Sequence, residues 1–83
     1  MTPSEYRALK SELRGYTVET HTDKYPEDDY NMHQVCVFAS KCSLMCLVSE
    51  LNEIFPELAI RERDIQETGA SCQLDIDVME DYE

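Results

Sequence analysis

The segment Tyr25-Pro26-Glu27-Asp28-Asp29-Tyr30 sets three consecutive carboxylates between two tyrosines, a combination suited to recognition rather than to bond making. Tyrosine supplies rigid contact area at low entropic cost, and carboxylates beside it pair with Arg or Lys on another molecule. A second acidic element lies near the end of the chain, where Asp75 and Asp77 alternate with Leu74, Ile76 and Val78. In a strand, such alternate carboxylates stand about 7 Å apart on one face. B-DNA carries a phosphate per about 3.4 Å of axis on each strand, so one stripe of this kind is sparser than one DNA strand. Imitation of DNA calls for a second row, which the Glu27-Asp28-Asp29 loop, or Glu50 and Glu53 on a helix, could supply. The candidate protein-binding residues are therefore Tyr25, Glu27, Asp28, Asp29, Tyr30, Asp75 and Asp77.

Metal and covalent chemistry find less support. Cys42 and Cys46 share a helix face, but structural zinc sites usually pair two cysteines on a loop with a second close pair. Here the others are Cys36 and the distant Cys72. His21 and His33 could meet across a hairpin with Cys36 or Glu19 beside them, yet two surface histidines on a strand pair are the simpler reading. No metal and no cofactor are expected. A nucleophilic cysteine needs a base and an electropositive setting, whereas these thiols lie in apolar runs or in a negative field that raises their pKa. The chain has no Gly-rich phosphate loop, no H-E-x-x-H and no G-x-S-x-G, so no catalytic residue is assigned and a non-enzyme is expected.

Periodicity predicts the elements that must position these groups. Thr2-Pro3-Ser4-Glu5 forms a capping signal for a helix over residues 3–14, with Tyr6, Leu9 and Leu13 on one side and Gly15 as its stop. Tyr16, Val18 and Thr20 alternate with Thr17, Glu19 and His21 as a half-buried strand that runs into a hairpin loop over Lys24–Asn31. Met32–Ala39 is apolar on both sides and reads as a central strand. Ser40 caps a second helix, whose stripe of Leu44, Leu47, Val48, Leu51, Ile54 and Phe55 ends at Pro56. Leu58–Ile65 and Cys72–Val78 read as two more strands joined by a turn around Glu67–Ala70. The order α-β-β-α-β-β implies an α+β fold: a two-layer sandwich with a four-stranded, mainly antiparallel sheet and two helices on one face. Residues 79–83 are highly charged and are expected to fray.

The chain has 83 residues, enough for one small domain spanning residues 1–83. Area scaling gives a folded surface of about 5,100 Å² and hides only about 63% of the extended chain, which leaves little volume for a substrate cavity beside a core. Eighteen Asp and Glu oppose seven Lys and Arg for a formal charge of −11. After Arg63 every charged residue is acidic, from Asp64 through Glu67 and Asp75 to Glu83. Such a balance argues against direct contact with nucleic acid or an anionic membrane and favours a basic protein surface as partner. No window is apolar enough for a membrane helix and no export signal is evident, so a cytoplasmic location with reduced thiols is expected.

In size, acidity and α+β build, though by no motif, the chain resembles phage-encoded inhibitors that occupy the nucleic-acid site of a host defence or repair protein, such as anti-CRISPR proteins and uracil-DNA glycosylase inhibitors. That resemblance implies a small inhibitor acting in the host cytoplasm, with its carboxylates engaging the basic groove of a nucleic-acid-binding protein. The alternative is a non-catalytic adaptor or structural module that forms a homodimer or joins a larger complex.

Overall fold

The computed structural model describes residues 1–82. Its elements are α1 (Pro3–Glu12), β1 (Thr17–Tyr25), β2 (Tyr30–Ala39), α2 (Lys41–Ile54), β3 (Ile65–Thr68) and β4 (Ser71–Asp81). The strands form one antiparallel sheet in the order β1-β2-β4-β3, and both helices pack on one face of it, so the fold is the α+β sandwich that the pattern implies. α1 begins as its sequence dictates: Thr2 Oγ1 accepts from the Glu5 amide at 3.2 Å, and the Glu5 carboxylate accepts from the Thr2 amide at 3.0 Å. Ser40 caps α2 by accepting from the Ser43 amide at 3.3 Å. Leu44, Leu47, Val48 and Leu51 of α2 are buried with Phe55 against Val35 and Val37 of β2 and Leu74, Ile76 and Val78 of β4. Tyr6, Leu9 and Leu13 bring α1 into the same core.

Three segments depart from the sequence reading. The strand expected over Leu58–Ile65 does not form, and only Ile65 belongs to β3. Pro56–Leu58 closes a 3-10 turn, Ala59 takes a left-handed φ of 50°, and Glu62–Asp64 make a second 3-10 turn. Both main-chain groups of Ile60 are bonded to one side chain: Asn52 Nδ2 donates to its carbonyl at 2.7 Å, and its amide donates to Asn52 Oδ1 at 3.2 Å. An amide side chain on α2 thus replaces the neighbouring strand that this apolar run would otherwise seek. The Asp64 carboxylate holds the next turn by accepting from the Arg61 amide at 3.0 Å.

The first hairpin is longer and its loop shorter than expected. β1 pairs through Tyr25↔Tyr30, which leaves only Pro26–Asp29 as the connection, with Asp29 in the left-handed region at φ 60°. The acidic tail is likewise part of the sheet as far as Asp81: Met79, Glu80 and Asp81 pair with Met32, Asn31 and Tyr30. The Asp81 amide donates to the Met1 carbonyl at 2.9 Å and the Tyr82 amide to the Asp29 carbonyl at 2.9 Å. Glu83 lies outside the described residues.

His33 is also not the surface residue its sequence suggests. The register sets His21 opposite Gln34 and Thr22 opposite His33, so the two histidines lie on opposite faces of the sheet. His33 is buried on the helix side, stacked on the Tyr6 ring at 4.0 Å between centroids. Its Nε2–H donates to Glu80 Oε1 at 2.9 Å, and its Nδ1 lies 2.7 Å from the Thr22 hydroxyl. Asn31 Nδ2 donates to the same Glu80 oxygen at 3.3 Å. The cause is one of length. β4 at eleven residues spans about 34 Å, whereas α2 at fourteen spans only about 21 Å, so the sheet outruns its apolar cover and ends in a hydrogen-bonded polar cluster.

Candidate functional site

Register neighbours share a face, and the buried residues Val35, Val37, Leu74 and Ile76 mark the inner one. The outer face then reads in rungs from β1 across β2 to β4: Glu19, Cys36, Asp75; His21, Gln34, Asp77; Asp23, Met32, Met79; Tyr25, Tyr30, Asp81. Acidic residues thus stand in two columns, Glu19 and Asp23 on β1 and Asp75, Asp77 and Asp81 on β4. The column between them, on β2, is uncharged. Two strand spacings put the acidic columns about 10 Å apart, and about 7 Å separates successive outward positions within each. Tyr25 and Met79 are exposed, while Tyr30, Met32, Cys36 and Phe38 are half-buried, so apolar surface lies among the carboxylates.

This face gathers most of the candidate residues. Asp77 is exposed, and Asp75 is half-buried and accepts from Gln73 Nε2 at 2.6 Å. Tyr25 and Tyr30 close the hairpin as a stacked pair, 5.0 Å between ring centroids and 23° between planes. Glu27, Asp28 and Asp29 sit in the tip connection beyond that pair and do not join the sheet face itself. The Tyr82 amide and its hydroxyl, which donates to Asn31 Oδ1 at 2.9 Å, keep the tip beside the end of β4. The Met1 ammonium lies 3.4 Å from Asp81 at the same end.

The second acidic row comes from residues that the sequence reading did not select. Glu50 and Glu53 are exposed on α2, in the helix layer, and therefore cannot line up with Asp75 and Asp77. Glu19 and Asp23 supply the row instead. A signal for them existed in the period-two pattern of β1, but their alignment with β4 depended on β2 lying between the two strands.

The electrostatics of the face are visible at one thiol. Burial, then the hydrogen bond and charge of Asp75, push the Cys36 thiol up to about 11, so its protonated form is favoured in the uncharged column. All four cysteines are free, with Cys42 and Cys46 exposed on α2 and Cys72 buried on the inner face of β4. Among the described residues no group of three or more His, Cys, Asp or Glu side chains has a metal-binding arrangement, and no helix is long and apolar enough to cross a membrane. An open depression of about 320 Å³ beside β4 is lined by Arg63, Asp64, Asp75 and Asp77, with Leu58, Ile60 and Ile76 at its base.

In comparison with known proteins, no family model matches this chain, and no curated protein and no solved structure matches it. Its functional reading rests on the geometry of the outer face.

Proposed function

We propose that the protein is a non-catalytic binder that lays its open sheet face on a basic surface of a nucleic-acid-binding protein and so inhibits it, in the manner of phage-encoded nucleic-acid mimics. One observation carries this reading: among the described residues, no outward position of any strand is Lys or Arg. Arg7, Lys10 and Arg14 lie on α1 or just after it, Lys24 on the inner face, Lys41 on α2, and Arg61 and Arg63 in the β3 approach. Ordinary soluble surfaces intersperse both signs. This one segregates acidic residues into two columns and places Tyr25, Tyr30, Met32 and Met79 among them.

The division of labour follows from the chemistry. Carboxylates of Glu19, Asp23, Asp75, Asp77 and Asp81 steer the approach of Lys and Arg side chains, and those of Glu27, Asp28 and Asp29 extend the field past the tip. The tyrosine pair supplies the area that holds the complex once water has left. A standard interface of about 800 Å² per partner would use about one seventh of the 5389 Å² surface, so it would draw on the sheet face and the hairpin tip together.

A partner recovered by affinity purification, mixed with its own DNA or RNA and increasing amounts of this protein, provides the test. Mutual loss of affinity is the expected result, with a steep decline of binding in salt that Asp75→Asn and Asp77→Asn make shallower. Simultaneous binding of both ligands without loss would refute the mimic reading and leave a non-catalytic adaptor, in which this face joins subunits of a complex or two copies of the chain.

A further inference from the structure

We infer that the free edge of β1 is a second contact, one that takes up an extended segment of the basic partner as a fifth strand of the sheet. β1 is nine residues long and pairs with β2 alone, whereas the edge strand at the other side of the sheet, β3, has four residues. The register from Thr17 to Tyr25 runs without a bulge, and the strand contains no proline, so a continuous row of main-chain donors and acceptors faces outward. Natural edges are usually shortened, bent, covered or charged, and of these devices β1 carries only the charges of Glu19, Asp23 and Lys24. This one is uncovered: Thr20 and Thr22 belong to the inner face yet are exposed, because the helices lie over β2 and β4.

Side chains on the two sides of β1 define what can add to it. Glu19 and Asp23 project on the outer side, four residues and about 14 Å apart along the strand. On the inner side an open depression of about 400 Å³ runs beside Leu13, Tyr16, Val18 and Val35, with Lys10 and Arg14 at its rim. An added antiparallel strand therefore places Lys or Arg opposite Asp23 and Glu19 and an apolar residue beside Val18. Basic residues on the inner side would meet Lys10, Arg14 and Lys24. The occupant is thus a segment of the form basic-x-x-x-basic-apolar, the β-augmentation mode of peptide recognition. A second copy of the chain fits less well: pairing about His21 sets Glu19 against Asp23 of the copy, and each copy carries a charge of −11. The basic character of the occupant rests on the function proposed above.

The test uses the isotope-labelled full chain at low salt and an acetylated, amidated peptide containing Lys-Thr-Thr-Thr-Lys-Val. Two analogues are N-methylated at alternate residues, one on each edge of the extended peptide. The expected result is chemical-shift change concentrated on Thr17–Tyr25 and the Leu13–Tyr16 segment, slowed amide exchange along β1, and at least tenfold weaker binding for one methylated analogue only. Equal binding of both analogues would show a charge-led association without strand pairing and would overturn the inference, as would no binding at millimolar peptide. Exchange protection of β1 that rises with protein concentration in the absence of peptide would also overturn it, in favour of a second copy at the edge. Asp75→Asn with Asp77→Asn leaves peptide binding within about twofold, so failure at the edge is distinguishable from failure of the outer-face reading.

Discussion

The inner and outer faces of the sheet are built from alternate residues of the same strands, and on β4 the contrast is sharpest. Cys72, Leu74, Ile76 and Val78 are buried under the helices, while Gln73, Asp75, Asp77 and Met79 between them look out. The inner residues are constrained by packing: a missing methyl group there leaves a void. The outer residues lie outside that core, and the contacts of Asp75, with Gln73 and the Cys36 thiol, are polar ones along the sheet surface. Their composition, acidic in two columns and free of Lys and Arg, has no counterpart in the needs of folding. Stability and the proposed recognition thus fall on adjacent positions of one strand, and substitutions on the two faces should behave accordingly.

The largest effect is expected at the centre of the inner face. Leu51 is fully buried, and Leu51→Ala should cost about 2 to 5 kcal/mol, a large part of the stability of so small a domain. Urea unfolding measures it, and a loss below about 1 kcal/mol would contradict the packing. Next comes the polar end of that face. His33→Ala removes a donor from the Glu80 carboxylate and the ring that stacks on Tyr6, and should cost about 1 to 3 kcal/mol. Replacement of Glu80 by Gln retains an acceptor for His33 and should cost less.

The same cluster makes stability depend on acid. The His33 hydrogen bond, assisted by the one from Asn31, holds the Glu80 carboxyl below its ordinary value despite burial. A carboxylate whose folded pKa is depressed contributes stability that is present above the unfolded carboxyl pKa and is lost as pH falls through the lower folded value. The urea midpoint should therefore fall on acidification below about pH 5, and Glu80→Gln should flatten that decline. An unchanged slope in the variant would remove Glu80 from the account.

On the outer face the effects on stability should be small. Asp75→Asn together with Asp77→Asn should change it by no more than about 0.5 kcal/mol, while changing partner binding as described above. A stability loss comparable to that of Leu51→Ala would erase the distinction between the faces. The finest probe is thiol reactivity at mildly alkaline pH: iodoacetamide should label the exposed Cys42 and Cys46 before Cys36. Asp75→Asn should speed Cys36 labelling only in part, because burial, the largest single cause of its raised pKa, remains in the variant.

What could be read in the sequence was everything carried by local periodicity. The caps at Thr2 and Ser40, the apolar stripe of α2 and the alternation from Cys72 to Val78 each depend on residues within a few positions of one another, and each appears in the fold as read except that Ile54, counted in the stripe, is 49% exposed in the last turn of α2. Asp75 and Asp77 were visible for the same reason, whereas Tyr25 and Tyr30 stood out by the composition of the turn segment and prove to be strand ends rather than loop residues. Tertiary structure alone decided three things. The β1-β2-β4 order and its register aligned Glu19 and Asp23 with the β4 carboxylates as a second column. Asn52, eight residues upstream, took both main-chain bonds of Ile60 and kept an apolar, strand-like run out of the sheet. His33 was drawn inward to Glu80, 47 residues away. In each case the deciding partner is remote in sequence or lies on another element, and periodicity within a segment carries no information about which side chain or strand will lie beside it.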